Sequence, residues 1–327
     1  MTEAIIATTG LSKTFRSKGH SVQAVKNITM EVSKGTVVGI LGPNGAGKTT
    51  TLRMLTTLLP IDGGEAHIAG YDVRRAPARV RTRIGYVSQA GGADDTLTAR
   101  ENLQLQARLY GVPPRDAADR AERLSQQLEL VDYADRAVKT YSGGQRRRLD
   151  VAMGIIHHPD VLFLDEPSTG LDPQSRAHLW DHIRRLAQQG MTIVVTTHYL
   201  DEADALCQRV YIIDHGEVVA EGEPAVLKRQ VAGEAILWSW TNADSATIAL
   251  SVLTQEPEVR DAVREDATVR VYVDNGAAAL SHLLHRLEAA GIPPVSVQLN
   301  QPSLDDVFFR TTGRSLRDQT APLEVSK

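Results

Sequence analysis

The stretch Val37-Val38-Gly39-Ile40-Leu41-Gly42-Pro43-Asn44-Gly45-Ala46-Gly47-Lys48-Thr49-Thr50 decides how this chain folds. Its left part is a short apolar run of the kind that forms a buried strand, and to its right Thr51 to Leu59 carries apolar residues at helical spacing. The glycines therefore occupy a strand-to-helix turn. Gly42, Gly47, Lys48 and Thr49 satisfy the spacing G-x-x-x-x-G-K-[ST]. Glycine lets the backbone curl until its N–H groups converge on phosphate oxygens, and the helix that follows adds the positive end of its dipole. In such a turn Lys48 reaches the β- and γ-phosphates and the Thr49 hydroxyl sits on Mg²⁺. A match of this kind arises by accident in roughly one chain in a hundred of this length, and the strand–turn–helix context lowers that figure.

Working outward, the 327 residues leave room for two domains, and 42% hydrophobic content is that of a globular protein. No apolar run approaches the roughly 18 residues of a membrane helix, and MTEAIIATTG lacks the basic and apolar segments of a signal peptide. The chain is expected inside the cell, so a membrane role requires a separate partner. A net charge of −4 gives no electrostatic footprint for nucleic acid. The single cysteine, Cys207, can form neither an internal disulfide nor a cysteine metal cluster, and among Leu200, Ala203, Leu206 and Val210 it reads as a small buried hydrophobe.

Before the loop, Ile5 to Thr8, Val22 to Val25 and Ile28 to Val32 read as strands, with a polar turn at 17–20. Phe15, just ahead of that turn, is able to stack on an adenine ring or to close a strand-end core. After the first helix, Glu65 to Ala69 reads as a strand, and a strand-like run from Val80 to Ile84 leads through Val87 to Gln89, whose amide can reach a metal or a water at the cradle. Helical periodicity then takes over from about 98 to 157, including a charged helix from Arg115 to Leu130. This helical insertion ends in Tyr141-Ser142-Gly143-Gly144-Gln145, a second glycine turn opening a helix. Ser142 is placed to cap it, and its free N–H groups make a second anion site. Of Arg146, Arg147 and Arg148, spaced about 100° apart on that helix, at least two are expected to face solvent or a partner.

Val161 to Leu164 is a fully apolar strand that ends in Asp165-Glu166-Pro167. A buried strand closing on two acids carries them to the carboxyl edge of the sheet, where α/β proteins bind ligands. Successive side chains alternate, so Asp165 is free to organise Mg²⁺ while Glu166 faces an attacking water. A tight loop, 168–172, precedes a helix from Gln174 to Gln188. The strand Thr192 to Thr197 then delivers His198 to the same edge as a γ-phosphate contact. His178 and His182, four apart on a helix, read as a solvated polar face rather than a metal clamp, because no third ligand is evident; His157, His158, His282 and His285 offer no better metal site.

Taken in order, these residues resemble the nucleotide-binding subunit of ABC transporters over positions 1 to about 230. GPNGAGKTT looks like Walker A, Gln89 like the Q-loop and Tyr141 to Gln145 like the signature motif. Asp165 and Glu166 look like Walker B, 168–172 with Asp172 like the D-loop, and His198 like the switch histidine; Phe15 falls where the family has its adenine-stacking aromatic. Tyr141 departs from the family's more frequent Leu. The spelling YSGGQRRRLD and the stretch SLDDVF at 303–308 are most similar to daunorubicin-type drug-resistance ATPases. The resemblance implies an α/β P-loop ATPase that binds ATP with Mg²⁺. It further implies a peripheral position on the cytoplasmic face of the membrane, beside an integral-membrane permease subunit. Each ATP would be sandwiched between the Walker A loop of one copy and the signature of another. Only one copy of each motif is present, so the sandwich calls for a homodimer. The phosphate cradle alone would also suit a small-molecule kinase, which leaves the signature and His198 unused. Soluble ABC ATPases of translation carry two such domains, and the DNA-repair type separates Walker A from the signature by coiled coil or zinc insertions absent here.

After Lys228-Arg229 the pattern restarts. Strands at 234–240, 259–263, 268–273 and 295–299 with helices at 243–253 and 277–290 give the order βαββαβ of a ferredoxin-like accessory domain over 231–312. No catalytic cluster is evident in it. Ser303 to Phe308 reads as a capped helix packed on its own domain, and 313–327 as a disordered tail.

Overall fold

The computed structural model describes residues 4–17, 20–230, 234–300 and 303–312. The expected tail at 313–327 lies outside the described residues. The chain divides into two compact units at Glu223/Pro224.

The first unit opens with two long strands, β1 (Ala4–Ser17) and β2 (His20–Ser33), then β3 (Val37–Leu41), α1 (Lys48–Leu55), β4 (Gly63–Ile68) and β5 (Tyr71–Asp72). Helix α2 (Pro77–Arg83) and strand β6 (Ile84–Val87) lead into the helical segment of α3 (Ala99–Leu109), α4 (Pro114–Gln127) and α5 (Gly143–Ile155). Strand β7 (Val161–Asp165), α6 (Pro173–Gln188), β8 (Thr192–Thr197), α7 (Leu200–Leu206), β9 (Arg209–Asp214) and β10 (Glu217–Gly222) complete it.

Two expectations change here. The segment expected as strands at 22–25 and 28–32 is one strand: Val25 pairs with Lys13 and Ile28 with Leu11, so Lys26 and Asn27 are absorbed as an irregularity in the ladder. Val80 is helical, being the buried residue of α2 among charged neighbours, with Pro77 at its first turn; the strand begins only at Ile84.

A four-stranded antiparallel sheet in the order β2-β1-β4-β5 accompanies a six-stranded sheet in the order β10-β9-β3-β8-β7-β6. In the larger sheet β9, β3, β8, β7 and β6 run parallel and only β10 is antiparallel. Strands β3, β7 and β8 are buried at every residue, as continuous Val, Ile and Leu runs covered on both faces must be. Parallel pairing has one decisive consequence: the carboxyl ends of β3, β6, β7 and β8 emerge on one edge.

The second unit begins with α8 (Pro224–Gln230) and continues β11 (Glu234–Ser239), α9 (Ala243–Leu253), β12 (Val259–Glu265), β13 (Thr268–Val273), α10 (Gly276–Ala289), β14 (Ser296–Asn300) and α11 (Leu304–Thr312). Its antiparallel sheet has the order β12-β13-β11-β14, the ferredoxin-like arrangement of a βαββαβ chain. Ile236, Trp238, Val269, Val271, Ala246, Leu253, Leu283 and Leu287 form its core beneath α9 and α10. Helix α11 contacts α8 and buries Leu304, Val307 and Phe308, so α8 belongs with this unit. Asp306 locks α11 down: it accepts from the Ser303 backbone N–H at 2.8 Å, from Arg270 at 2.7 Å and from the Tyr272 hydroxyl at 3.1 Å.

Candidate active site

Each candidate side chain leaves the end of a parallel strand. The turn after β3 is compressed against its neighbours: at Gly42 (φ 153°) a Cβ would stand 2.1 Å from the Ile213 carbonyl, and at Gly47 (φ 107°) 2.5 Å from that of Ala24. Only glycine fits both places. Gly47 provides no side-chain cap for α1, so the first N–H groups of that helix point into a cavity of about 490 Å³. Ala24, Asn44 to Thr50, Gln89 and Glu166 line it. Lys48 is buried, donating from Nζ to the carbonyl oxygens of Gly42 at 2.8 Å and Pro43 at 3.0 Å, and lies 3.6 Å from Glu166 Oε1. Burial pulls its pKa below the ordinary lysine value, against the raising effects of Glu166 and Asp165.

The two acids after β7 diverge as alternation requires. Asp165 is buried and accepts on Oδ1 from the hydroxyls of Thr196 at 2.7 Å and Thr49 at 3.0 Å, and on Oδ2 from the Tyr86 phenol at 3.3 Å. Glu166 takes a left-handed backbone, φ 46°, and its N–H donates to the Thr196 hydroxyl at 3.0 Å. Such a conformation in a non-glycine residue stores on the order of 1–3 kcal/mol and is typical of functional sites. Gln89 Nε2 donates to Glu166 Oε2 at 3.1 Å, and His198 Nδ1 lies 3.5 Å from Oε1. The neighbouring His198 imidazole holds the Glu166 carboxyl below its usual range, opposed by burial and assisted by Lys48. Lys48, Thr49, Gln89 and Glu166 thus line one cavity, with Asp165 joined to them through Thr49 and His198 lying against Glu166.

Other expected residues stand apart from this cavity. Phe15 is exposed, under the Lys13 ammonium at 5.8 Å from its ring centre. Tyr141 to Gln145 do not line the cavity: Ser142 caps α5 in a reciprocal box with Gln145, and the Tyr141 hydroxyl donates to the Tyr133 carbonyl at 2.7 Å. Asp172 caps α6, accepting from the Ser175 N–H at 2.9 Å and hydroxyl at 2.6 Å. The arginine run divides as its helical spacing requires, with two of the three at the surface. Arg147 is buried, donating to the carbonyls of Ser88 at 2.7 Å, Pro167 at 2.8 Å and Asp165 at 3.0 Å, while Arg146 and Arg148 pair within the chain with Asp95 and Glu129. One turn on, Asp150 accepts the N–H groups of Gly92 and Ala93 at 2.9 and 3.3 Å. The solvated face expected for His178 and His182 is corrected, since His182 is buried at 1% exposure while His178 is exposed; desolvation lowers the His182 pKa from 6.5 to about 4. Tyr86, Thr196 and Arg147 escaped the sequence because their partners are remote residues or backbone atoms.

A family model described as ABC transporter matches residues 25–169, and one described as ATP-binding protein DrrA1-3-like, C-terminal domain, matches 222–312. The daunorubicin resistance ATP-binding protein DrrA2 of Streptomyces coeruleorubidus is 43% identical, covering 91% of this chain and 93% of its own length. The chain belongs to the ABC transporter ATP-binding proteins. The daunorubicin/doxorubicin resistance ATP-binding protein DrrA of Streptomyces peucetius is 42% identical over 96% of this chain and 94% of its own length. The linearmycin resistance ATP-binding protein LnrL of Bacillus subtilis (strain 168) is 33% identical over 90% and 95%. Among solved structures, the dimeric post-hydrolysis state of the ATP-binding cassette MJ0796 bound to ADP and Pi matches with a TM-score of 0.62 at 26% identity, covering 67% of this chain and 98% of that one. This ABC ATP-binding subunit is an ATPase. Among the described residues no helix is long and apolar enough to cross a membrane.

The residues present suit a Mg²⁺ ion. Thr49 and Asp165 bring hard oxygen donors to within 3.0 Å of each other beside the phosphate loop, with the Gln89 amide on the same cavity.

Proposed function

We propose that this ATPase powers export of a hydrophobic, antibiotic-like compound through a separately encoded integral-membrane permease, working as a head-to-tail homodimer on the cytoplasmic face of the membrane. The observation that carries the dimer is the division of the site: Glu166 lines the Walker A cavity, whereas the signature turn of the same chain, with Ser142 and Gly143 exposed, lines none of it. A second copy supplies its Ser142 hydroxyl and its Gly143 and Gly144 N–H groups to the far side of the nucleotide. The export reading rests on the drug-resistance relatives.

In this scheme the backbone of Gly42 to Gly47 and the start of α1 cradle the phosphates, with Thr50 in the first turn, and Lys48 exchanges its loop carbonyls for phosphate oxygens. Phe15 stacks on adenine, and Asp172 carries the partner-facing loop. Thr49, Asp165 and Gln89 would hold Mg²⁺, which would neutralise phosphate charge when bound. Glu166, kept ionised by His198 and Lys48, takes the proton of the attacking water, and His198 contacts the γ-phosphate.

The test compares Glu166→Gln with Asp165→Asn. Loss of the general base lowers turnover by about 10²- to 10⁴-fold with ATP affinity retained, and the ATP-bound pair, no longer dissolved by hydrolysis, accumulates as a dimer in light scattering. Asp165→Asn weakens the metal site and yields less dimer. Near-wild-type hydrolysis by Glu166→Gln refutes the assignment of the base.

A further inference from the structure

Glu202, on α7, has no exposed surface and takes no part in the scheme above. Its Oε1 accepts the Ser168 hydroxyl and, at 3.1 Å, the Trp180 indole N–H, which also donates to Ser168 Oγ at 3.1 Å. Its Oε2 is buried without a hydrogen-bond partner among the described residues. An interior carboxyl group is destabilising unless its place in the structure needs it.

Its neighbours define that place. Ser168 lies two residues beyond Glu166, on the loop whose Thr169 N–H returns to the Glu166 carbonyl at 3.3 Å. On the other side, the Ala203 N–H donates to the Tyr199 carbonyl at 3.3 Å and the Tyr199 N–H to the Thr197 hydroxyl at 2.9 Å, which ties the first turn of α7 to the residues flanking His198. The Tyr199 ring stands 4.2 Å from that of His198 and beneath the Arg176 guanidinium at 4.5 Å. Glu202 therefore joins the loop that follows Glu166 to the turn that contains His198.

We infer that Glu202 is a positioning residue for ATP hydrolysis, holding His198 against Glu166 by binding Ser168 on one strand end while its helix anchors the turn on the next. The inference rests on Glu166 and His198 being the hydrolytic pair. Burial pushes the Glu202 carboxyl above its ordinary range, so glutamine, isosteric and neutral, is a close replacement.

The test is an epistasis measurement on the full chain, with kcat and KM for ATP determined for Glu202→Ala, Glu202→Gln and Ser168→Ala, each alone and with His198→Ala. Glu202→Ala and Ser168→Ala are expected to lower kcat about tenfold through misplacement of the pair, with KM for ATP little changed. Glu202→Gln restores most of the loss. In the His198→Ala background Glu202→Ala adds less than about a twofold effect, because the group it positions is gone. A second tenfold loss there overturns the inference and marks Glu202 as a general packing element, as does full turnover by Glu202→Ala when His198→Ala is impaired. Near-wild-type turnover by His198→Ala alone refutes instead the reading of the site. Should Glu202→Ala fail to fold, Ser168→Ala and Trp180→Phe, which removes the indole donor, carry the same comparison.

Discussion

Arg147→Met removes the guanidinium that ties α5 to both loops of the active site while keeping most of the side-chain volume. Three carbonyl oxygens, those of Ser88, Pro167 and Asp165, lose their donor at once. A hydrogen bond from a charged donor contributes about 1.5–3 kcal/mol, but the three share one planar group and do not add. Buried Asp150 also loses a neighbouring positive charge. The expected destabilisation is about 3–5 kcal/mol, the range for breaking a buried charged contact. For a unit of this size each kcal/mol moves the midpoint by about 2–4 °C, so calorimetry should show the transition of the first unit falling by about 6–20 °C. Arg146→Met is the control, since its pair with half-exposed Asp95 is worth less than about 1 kcal/mol. Equal effects of the two variants would refute the role given to the buried guanidinium.

Lys48→Ala should leave the fold intact and weaken ATP binding by about ten- to a hundredfold, the equivalent of about 1.5–3 kcal/mol for a charged hydrogen-bond donor; isothermal titration checks this, and an unfolded variant would show that its bonds to Gly42 and Pro43 are structural. Ser142→Arg should leave ATP binding by the isolated chain unchanged while light scattering with ATP shows no pairing, and equal loss of monomer affinity would contradict the two-copy site. For His182, a folded pKa of about 4 against 6.5 means the unfolded chain binds the extra proton, so stability is lost as pH falls from about 6.5 towards 4. His182→Leu should flatten that part of the melting-temperature profile, by up to about 3 kcal/mol at its acid end, and an unchanged slope would refute it.

Several features were legible because they are local. A glycine turn between a buried strand and a helix, an apolar strand ending in Asp165-Glu166, and a second ending at His198 each state their geometry within about ten residues, and the βαββαβ order follows from periodicity alone. Val80 misled because one apolar residue among arginines suits a helix and a strand alike, and the buried face was decided by packing. The arginine run shows the limit most plainly. Helical spacing establishes that Arg146, Arg147 and Arg148 point in different directions, but which of them turns inward depends on three carbonyls lying 18, 20 and 59 positions away. Tyr86 and Thr196 are hidden in the same way, since they meet Asp165 only through the pairing of neighbouring strands. Local chemistry, written as motif and period, thus determined the kind of site and the strands that bear it. Its supporting contacts were decided by tertiary structure, because a hydrogen bond to backbone or to a distant side chain leaves no periodic trace in the chain that makes it.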